Sequence, residues 1–332
     1  MIAAEPKNAL VDAFGRRLQY LRLSVTDRCN FRCLYCLPHG VSPATGPQPL
    51  SVVELDRLVR GFAELGFTKV RVTGGEPTVR GDLVEIVGRI AAIEAVRDVG
   101  MTTNGFRLKA IARDLAGAGL TSLNVSVDSL DPDRFASITG RSLLPQVLDG
   151  LETALAAGIP RIKVNAVLLA GMDTAEIERF MTWVRFAPIT VRFIELMDAG
   201  LEPTLFARYH APISRVEQLL EERGWSRLAH GQASGPATDY GKAGHAGRIG
   251  LIAPRPKDAC ARCNRLRVSA TGDLRLCLFD DRRVNLRHLL QSDTQRPALE
   301  EAIRYAVALK PTARPVEHRH RGALRSLASI GG

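Results

Sequence analysis

The sequence predicts an α/β protein whose core is a parallel sheet with helices packed outside it. The main observation is that six short apolar strand candidates alternate with amphipathic helical stretches before Gly200, an alternation that builds parallel sheets. Six such units fall short of the eight that close a full barrel, so a partial barrel and an open doubly wound sheet both fit. In either arrangement, ligands gather at the carboxyl ends of the strands.

Each strand and helix of this core has its own local signal. The predicted strands are Tyr20–Thr26, Lys69–Thr73, Val99–Thr103, Ser122–Val127, Arg161–Leu168 and Thr190–Glu195. The predicted helices lie between them, at about 51–65, 82–94, 108–117, 145–157 and 174–186. Ser51 and Glu54 have the spacing of a capping box, and Gly66 is typical of a helix stop.

The periodicity changes after about Gly200, which predicts a boundary between a domain at 1–230 and a C-terminal region at 231–332. Residues 231–247 are rich in Gly and Ala and predict a loop or linker. Leu266–Ala270 and Leu274–Leu278 flank a Thr-Gly-Asp turn and predict a hairpin. A helix near 297–309 and a basic tail complete the chain, which ends in Gly331 and Gly332.

Composition excludes several classes of protein. The 332 residues are 45% hydrophobic and 24% charged, values typical of soluble globular proteins and not of disordered or fibrous chains. No long apolar run and no secretory signal are evident, so we expect a cytoplasmic protein with no membrane partner. The net charge of +10 raises the possibility of nucleic-acid binding. However, no run of five basic residues occurs, and a nucleic-acid partner is not expected.

The cysteines form two groups of three. The first Cys set (Cys29, Cys33 and Cys36) has C-x3-C-x2-C spacing just after the first strand. Three thiolates can bind three irons of a four-iron cluster and leave the fourth iron open for another ligand. A structural zinc site usually has four protein ligands, and His39 could supply the fourth here.

The second Cys set (Cys260, Cys263 and Cys277) again provides three thiolates. A zinc site completed by His288 is the alternative, but a second iron–sulfur cluster with one open iron explains the count better. Between these cysteines, Arg265 and Arg267 flank Leu266, so the two arginines share one face of a strand. Two guanidinium groups beside an open iron suit an anionic ligand, whereas the alternative interpretation is a solvated basic strand face.

Basic residues also lie on the predicted barrel strands. Arg22, Arg71 and Lys163 would point into the barrel if they share the face of its mouth. Charges inside a barrel are costly unless they are paired or bound by a ligand. A polyphosphate substrate would satisfy them, and ion pairing with a core carboxylate such as Glu195 is the alternative.

The first Cys set, with Tyr35 in the aromatic position, resembles the signature of the radical S-adenosylmethionine (SAM) superfamily. The resemblance implies that a [4Fe-4S] cluster on this set cleaves SAM to methionine and a 5′-deoxyadenosyl radical. It also implies SAM contacts from Tyr35, Gly75 in the TGGEP segment, Ser126 and Met197.

Further segments resemble the GTP 3′,8-cyclase family of molybdenum cofactor biosynthesis: VTDRCNFRCLYCLP, KVRVTGGEPTVRGDL, NVSVDSLDPDRFASITGR, GRIGLIAP, CNRLRVSATGDLRLCLF and the terminal Gly-Gly. This resemblance implies a partial (βα)6 TIM-like barrel with a C-terminal α+β extension that covers the barrel mouth. It implies a second [4Fe-4S] cluster on Cys260, Cys263 and Cys277 that binds guanine through its open iron. It implies GTP contacts from Arg22, Arg71, Thr102, Lys163, Arg265, Leu266 and Arg267, although Thr102 could instead contact SAM.

The reaction implied is a lyase-type radical cyclisation. The 5′-deoxyadenosyl radical takes hydrogen from C3′ of GTP, and the sugar radical adds to C8. Reduction of the resulting radical then gives (8S)-3′,8-cyclo-7,8-dihydroguanosine 5′-triphosphate. The implied partners are a low-potential electron donor, a downstream cyclic pyranopterin monophosphate synthase and a second copy of the chain in a homodimer. Gly331 and Gly332 are implied to reach the active site.

The alternative functions are a peptide-modifying radical SAM maturase with an auxiliary cluster, or a metal-containing nucleic-acid-binding module.

Overall fold

The computed structural model describes residues 9–37, 47–197, 202–229, 237–254, 260–280 and 282–311. Its first six strands are β1 (Tyr20–Ser24), β2 (Lys69–Thr73), β3 (Asp98–Thr103), β4 (Ser122–Ser126), β5 (Arg161–Leu168) and β6 (Thr190–Glu195). Each pairs in parallel with the next. The predicted strand–helix core is therefore confirmed, and no strand end differs from the prediction by more than two residues.

Within the described residues, six helices connect these strands. They are α1 (Val52–Glu64), α2 (Leu83–Ala91), α3 (Leu108–Gly117), α4 (Pro132–Thr139), α5 (Leu144–Ala156) and α6 (Thr174–Phe186). The capping box is present at α1, since the Glu54 amide donates to Ser51 Oγ and the Ser51 amide donates to the Glu54 carboxylate. Helix α4 was not predicted. It has only eight residues, and its signals are the Asp131 N-cap, Pro132 at its first position and a left-handed Gly140 at its end.

The part of the chain after β6 continues the sheet. It contains α7 (Pro203–Tyr209), α8 (Ser214–Glu222), β7 (Ser226–Arg227), β8 (Thr238–Gly241), β9 (Arg248–Ile252), β10 (Arg265–Val268), β11 (Asp273–Arg275), β12 (Arg283–Asn285) and α9 (Arg296–Ala308). The predicted hairpin is confirmed by the antiparallel pairing of β10 and β11. The loop prediction for 231–247 is wrong at Thr238–Gly241, because this segment is an edge strand paired with β9.

All twelve strands form one sheet in the order β12-β11-β10-β1-β2-β3-β4-β5-β6-β9-β8-β7. Strand β10 pairs in parallel with β1, and β9 pairs in parallel with β6. The C-terminal region therefore adds one parallel strand to each edge of the six-stranded core, which local sequence patterns did not predict. The result is a TIM-like barrel that remains open, and the C-terminal cysteines lie near the amino ends of its strands, because they precede β10 and follow the antiparallel β11.

The apolar core lies between this sheet and its helices. Leu21 on β1, Val72 on β2 and Phe193 on β6 are fully buried, and Phe62 and Phe180 pack from the helices. This packing fixes the strands, so side chains at their carboxyl ends have defined positions. No described helix combines the length and apolar character required to cross a bilayer.

Candidate active site

A cavity of about 1190 Å³ extends through the barrel to its mouth. All six cysteines line it: Cys29, Cys33, Cys36, Cys260, Cys263 and Cys277. Ten further residues predicted to bind SAM or GTP also line it: Arg22, Tyr35, Arg71, Gly75, Thr102, Ser126, Lys163, Met197, Arg265 and Arg267. The cavity therefore brings together residues from both ends of the chain.

Of the predicted residues that the structure describes, Leu266 does not line this cavity. Leu266 is fully buried in the apolar core, on the opposite face of β10 from Arg265 and Arg267. Only its backbone is left to contact a ligand. Gly331 and Gly332 lie outside the described residues, as does His39, the fourth ligand of the zinc alternative.

The first Cys set lies on the loop after β1. The Phe31 amide donates to Cys29 Sγ at 3.4 Å, a contact that would stabilise a thiolate. Burial raises the pKa of Cys29 and, more strongly, that of Cys33, whose pKa is raised further by Asp128 and the neighbouring thiols. Cations are therefore needed to hold these thiols ionised, and the irons of a cluster provide them.

Tyr35 is held by a carboxylate that sequence reasoning did not single out. Its hydroxyl donates to Asp128 Oδ2 at 2.7 Å, and the other oxygen of Asp128 accepts from the Val167 amide at 2.9 Å. Burial raises the pKa of Asp128 to about 6, and these hydrogen bonds oppose that shift. The loop of the first Cys set is thereby fastened to the ends of β4 and β5.

The TGGEP segment packs directly on the loop of the first Cys set. The Gly75 amide donates to the Thr26 carbonyl at 2.7 Å, and the Glu76 amide donates to the Arg28 carbonyl at 2.8 Å. A Cβ on Gly75 would lie 2.3 Å from the Arg28 carbonyl oxygen, so a side chain does not fit there. Glu76 is buried and accepts from the Thr103 hydroxyl and the Asn104 amide, both at 2.6 Å. The loops after β1, β2 and β3 thus form one connected surface.

The second Cys set lies at the other end of the cavity, near the amino ends of the barrel strands. The Phe279 amide donates to Cys277 Sγ at 3.5 Å. Burial raises the pKa of Cys277, whereas Lys310 and Arg265 outweigh burial at Cys263 and lower its pKa. No three His, Cys, Asp or Glu side chains within the described ranges converge on a single metal ion. Ligands of a four-iron cluster bind separate irons, so each Cys set has the donor chemistry for one cluster.

The barrel interior is strongly basic. Burial together with neighbouring cations lowers the pKa of Arg22 to about 10 and that of Lys163 to about 7. Burial also lowers the pKa of Arg192, a cavity residue that sequence analysis did not single out although it lies on predicted strand β6. The alternative in which Glu195 forms ion pairs with these cations is wrong. The Glu195 carboxylate pairs with His210 at 3.0 Å and accepts a hydrogen bond from the Ile213 amide. A polyanionic ligand would relieve this repulsion.

Arg71 and Tyr20 form a hydrogen-bonded pair in this interior. Arg71 Nε donates to the Tyr20 hydroxyl at 2.7 Å, and its other nitrogens donate to the Met101 carbonyl and Ser122 Oγ. Burial favours the neutral form of Tyr20, but Arg71, Arg22 and Lys69 together lower its pKa to about 8. Arg71 is therefore held in position by the protein before any ligand binds.

Three polar groups on adjacent strands lack partners among the described residues. They are Thr102 Oγ1 on β3, Asn124 Oδ1 on β4 and Asn165 Oδ1 on β5, all buried and all on cavity-lining residues. Thr102 and Asn124 are direct neighbours in the sheet register. Buried polar groups without partners are costly, so this row supplies hydrogen bonds for a ligand.

Comparison with known proteins places the chain among radical SAM proteins. A family model described as the radical SAM superfamily matches residues 23–184, and one described as Molybdenum Cofactor Synthesis C matches residues 189–315. A GTP 3′,8-cyclase of Aeromonas hydrophila is 49% identical over 97% of this chain and 96% of its own. A GTP 3′,8-cyclase of Stenotrophomonas maltophilia is 47% identical over 97% of this chain and 99% of its own.

Solved structures show the same fold. The crystal structure of Streptococcus suis SuiB bound to S-adenosylmethionine matches with a TM-score of 0.63 at 14% identity, covering 88% of this chain and 68% of that one. The SuiB structure with its precursor peptide SuiA matches with a TM-score of 0.62, also at 14% identity, over 86% of this chain and 66% of that one. At this identity the likeness shows the fold alone.

Proposed function

The chain belongs to the GTP 3′,8-cyclase family of radical SAM enzymes, and from this premise we propose that its cavity binds SAM and GTP side by side and cyclises the nucleotide. The observation that carries the proposal is the meeting of both Cys sets and the basic interior in one cavity. A [4Fe-4S] cluster on the first Cys set supplies the electron that cleaves SAM to methionine and a 5′-deoxyadenosyl radical. A radical is required because the C3′–H bond of ribose has no acidic proton for a base.

The residues beside the first Cys set bind and orient SAM. The close packing at Gly75 exposes backbone groups at the cavity wall, where they can contact the methionine moiety. Tyr35 is fixed by Asp128 and so holds the Cys loop against the sheet. Ser126 and Met197 at the ends of β4 and β6 contact the remainder of SAM.

The basic interior binds the triphosphate of GTP. Arg22 and Arg267 are register neighbours on β1 and β10, and Lys163 lines the same cavity. Charge-assisted hydrogen bonds from such groups contribute on the order of 1.5–3 kcal/mol each. With the triphosphate anchored, the ribose is placed between the two Cys sets. The chain's main contribution is this placement of C3′ next to the radical.

Cys260, Cys263 and Cys277 would hold a second [4Fe-4S] cluster, which would provide a site for guanine. Arg265 and Arg267 beside it hold the nucleotide, with Leu266 contributing through its backbone. Guanine binding at this end of the cavity and SAM binding at the other leave C3′ and C8 of GTP between them. The product is (8S)-3′,8-cyclo-7,8-dihydroguanosine 5′-triphosphate.

Partners follow from the chemistry. The reductive cleavage of SAM requires a low-potential electron donor, and the cyclised triphosphate requires a downstream cyclic pyranopterin monophosphate synthase.

We propose a homodimer on the grounds that two-fold dimers are the commonest oligomers. Six cysteines kept as metal ligands agree with a reducing, cytoplasmic location. We also propose 1–230 and 231–332 as functional units, the second carrying the auxiliary cluster.

The C-terminal Gly331 and Gly332 are proposed to enter the active site and position the radical reaction. Deleting both glycines should leave the iron and sulfide content intact and abolish cyclisation. Unchanged formation of the cyclised nucleotide would refute this role.

An anaerobic assay of reconstituted protein tests the main proposal. SAM, GTP and a strong reductant are supplied, and 5′-deoxyadenosine and dihydro-nucleotide products are quantified by mass spectrometry with and without GTP. We expect 5′-deoxyadenosine formation to depend on GTP and to match the cyclised nucleotide. Cleavage of SAM that is indifferent to GTP would contradict the substrate assignment. No cleavage by protein that holds both clusters would contradict the radical assignment.

A further inference from the structure

A buried lysine lies behind the second Cys set. Lys310 follows α9, and only 3% of the residue is exposed. Its ammonium group donates to the Arg265 carbonyl at 3.2 Å and also to the Leu276 carbonyl. Arg265 begins β10, two residues after Cys263, and Leu276 immediately precedes Cys277. Lys310 therefore bridges the two segments that carry this Cys set.

A buried ammonium group requires an anion nearby, since lysine is almost never fully buried without a partner. Burial lowers the pKa of Lys310, and three groups oppose that shift and so favour its charge: Cys263, Cys277 and Asp12. Asp12 is already held by Arg16, whose guanidinium contacts its carboxylate at 2.6 Å. Of the described groups, the two thiols remain as the anions that balance Lys310.

Arg16 lies on the same side of the second Cys set as Lys310 and has a different role. Its guanidinium donates to the Cys260 carbonyl at 2.8 Å and to the Pro311 carbonyl at 2.7 Å, while Asp12 neutralises its charge. Arg16 thus ties the second Cys set to the residue after Lys310 but adds little net charge. Arg265 also acts on Cys263, from the cavity, whereas Lys310 is the cation that acts on both Cys263 and Cys277.

Building on the proposed second cluster, we propose that Lys310 supplies the buried positive charge that balances the second Cys set and raises the reduction potential of the cluster bound there. Reduction adds an electron, and a fixed cation in a low-dielectric surrounding favours the more negative state. Net charge and hydrogen bonding around the ligands are known determinants of cluster potentials. Lys310 touches the backbone of the ligand segments and not the substrate, so it acts as a positioning and charge-balancing residue.

The test uses the full chain with Cys29, Cys33 and Cys36 replaced by alanine, so that only the second cluster contributes a signal. Lys310→Met removes the charge, Lys310→Gln removes it but keeps a donor, and Lys310→Arg keeps it. The exposed Lys109, whose side chain is 68% accessible, provides the control Lys109→Met. Iron and sulfide content are measured, and a redox titration followed by electron paramagnetic resonance gives the potential.

We expect both neutral variants to have a more negative potential than the parent, with Lys310→Arg and Lys109→Met unchanged. A parental potential in Lys310→Met or Lys310→Gln would overturn the proposal. If neither neutral variant retains the cluster but Lys310→Arg does, the charge is required for binding and the charge-balancing role is supported. If Lys310→Arg loses the cluster as well, the role of charge is refuted. A parent chain without any second cluster would instead refute the proposed two-cluster function, and this inference with it.

Discussion

Individual ionisable side chains inside the cavity have pKa values that differ strongly from their usual ones. Lys163 lies among Arg192, Arg71 and Lys69, and burial together with these cations lowers its pKa to about 7. In the free protein, Lys163 is therefore charged below pH 7 and loses its proton as the pH rises through that value. A bound triphosphate favours the charged form and so raises its pKa again.

GTP binding should consequently weaken as the pH rises above about 7. The affinity is expected to fall by up to about tenfold per pH unit, with uptake of about one proton on binding at pH 8. Calorimetry in two buffers of different ionisation enthalpy measures both quantities. Lys163→Arg retains its charge over this range and should show a flatter profile, so equal slopes in the two proteins would contradict the assignment.

Tyr35 and Lys310 illustrate which residues of the site can be predicted from the sequence and which cannot. Tyr35 was predicted from its place in the cysteine motif, but its partner Asp128 lies 93 positions away and becomes evident only in the fold. Lys310 likewise lies 33 positions after Cys277 and has no motif of its own. Motifs identify groups that share one loop, whereas partners from distant strands depend on the register of the sheet.

At the scale of elements, the TGGEP segment packs closely on the loop of the first Cys set, and this packing requires that Gly75 has no side chain. A Cβ at Gly75 would overlap the Arg28 carbonyl oxygen, which belongs to the loop that carries the first Cys set. The two backbone segments cannot move apart easily, because the amides of Gly75 and Glu76 are hydrogen bonded to the carbonyls of Thr26 and Arg28 in that loop. A side chain at this point would separate the two loops.

We therefore expect Gly75→Ala to reduce the rate of SAM cleavage by about tenfold or more, as small displacements in a positioned site do. The matched control is Gly81→Ala, four residues beyond the TGGEP segment, where an added Cβ meets no atom within 4 Å. The measurement is 5′-deoxyadenosine formed per cluster under single-turnover conditions. Equal rates in Gly75→Ala and Gly81→Ala would show that the close packing is not required.

Local patterns predicted the long elements well and the short ones poorly. The six core strands and five of their helices have apolar periodicity over enough residues to be recognised. Helix α4 and strand β8 are shorter, and the loop-like composition around Thr238 conceals the strand. The parallel pairing of β9 and β10 with the core strands was also beyond local signals, since pairing partners depend on tertiary structure.

On the scale of the whole molecule, one sheet holds the two Cys sets on separate loops. The first set follows β1, and the second flanks the β10–β11 hairpin, which is itself paired with β1. The apolar core beneath this sheet is continuous and does not include the second Cys set. The second set can therefore be altered without dismantling the support of the first.

Replacing Cys260, Cys263 and Cys277 with alanine should halve the iron content, to about four atoms per chain, as expected for one remaining four-iron cluster. SAM cleavage should persist at a reduced level, and no cyclised nucleotide should form. Iron analysis and mass spectrometry of the products provide the measurement. Complete loss of iron would contradict the independence of the two sites.

The pairing of β10 with β1 also has a consequence for the order in which the protein is made. Arg16 next to β1 bonds to the Cys260 carbonyl 244 positions along the chain. Contacts of such long sequence separation form slowly, and chains emerge from the ribosome amino end first. The first cysteines thus leave the ribosome long before the strand that completes their cavity. An oxygen-sensitive cluster inserted during synthesis would be exposed, so safe insertion must await the last quarter of the polypeptide.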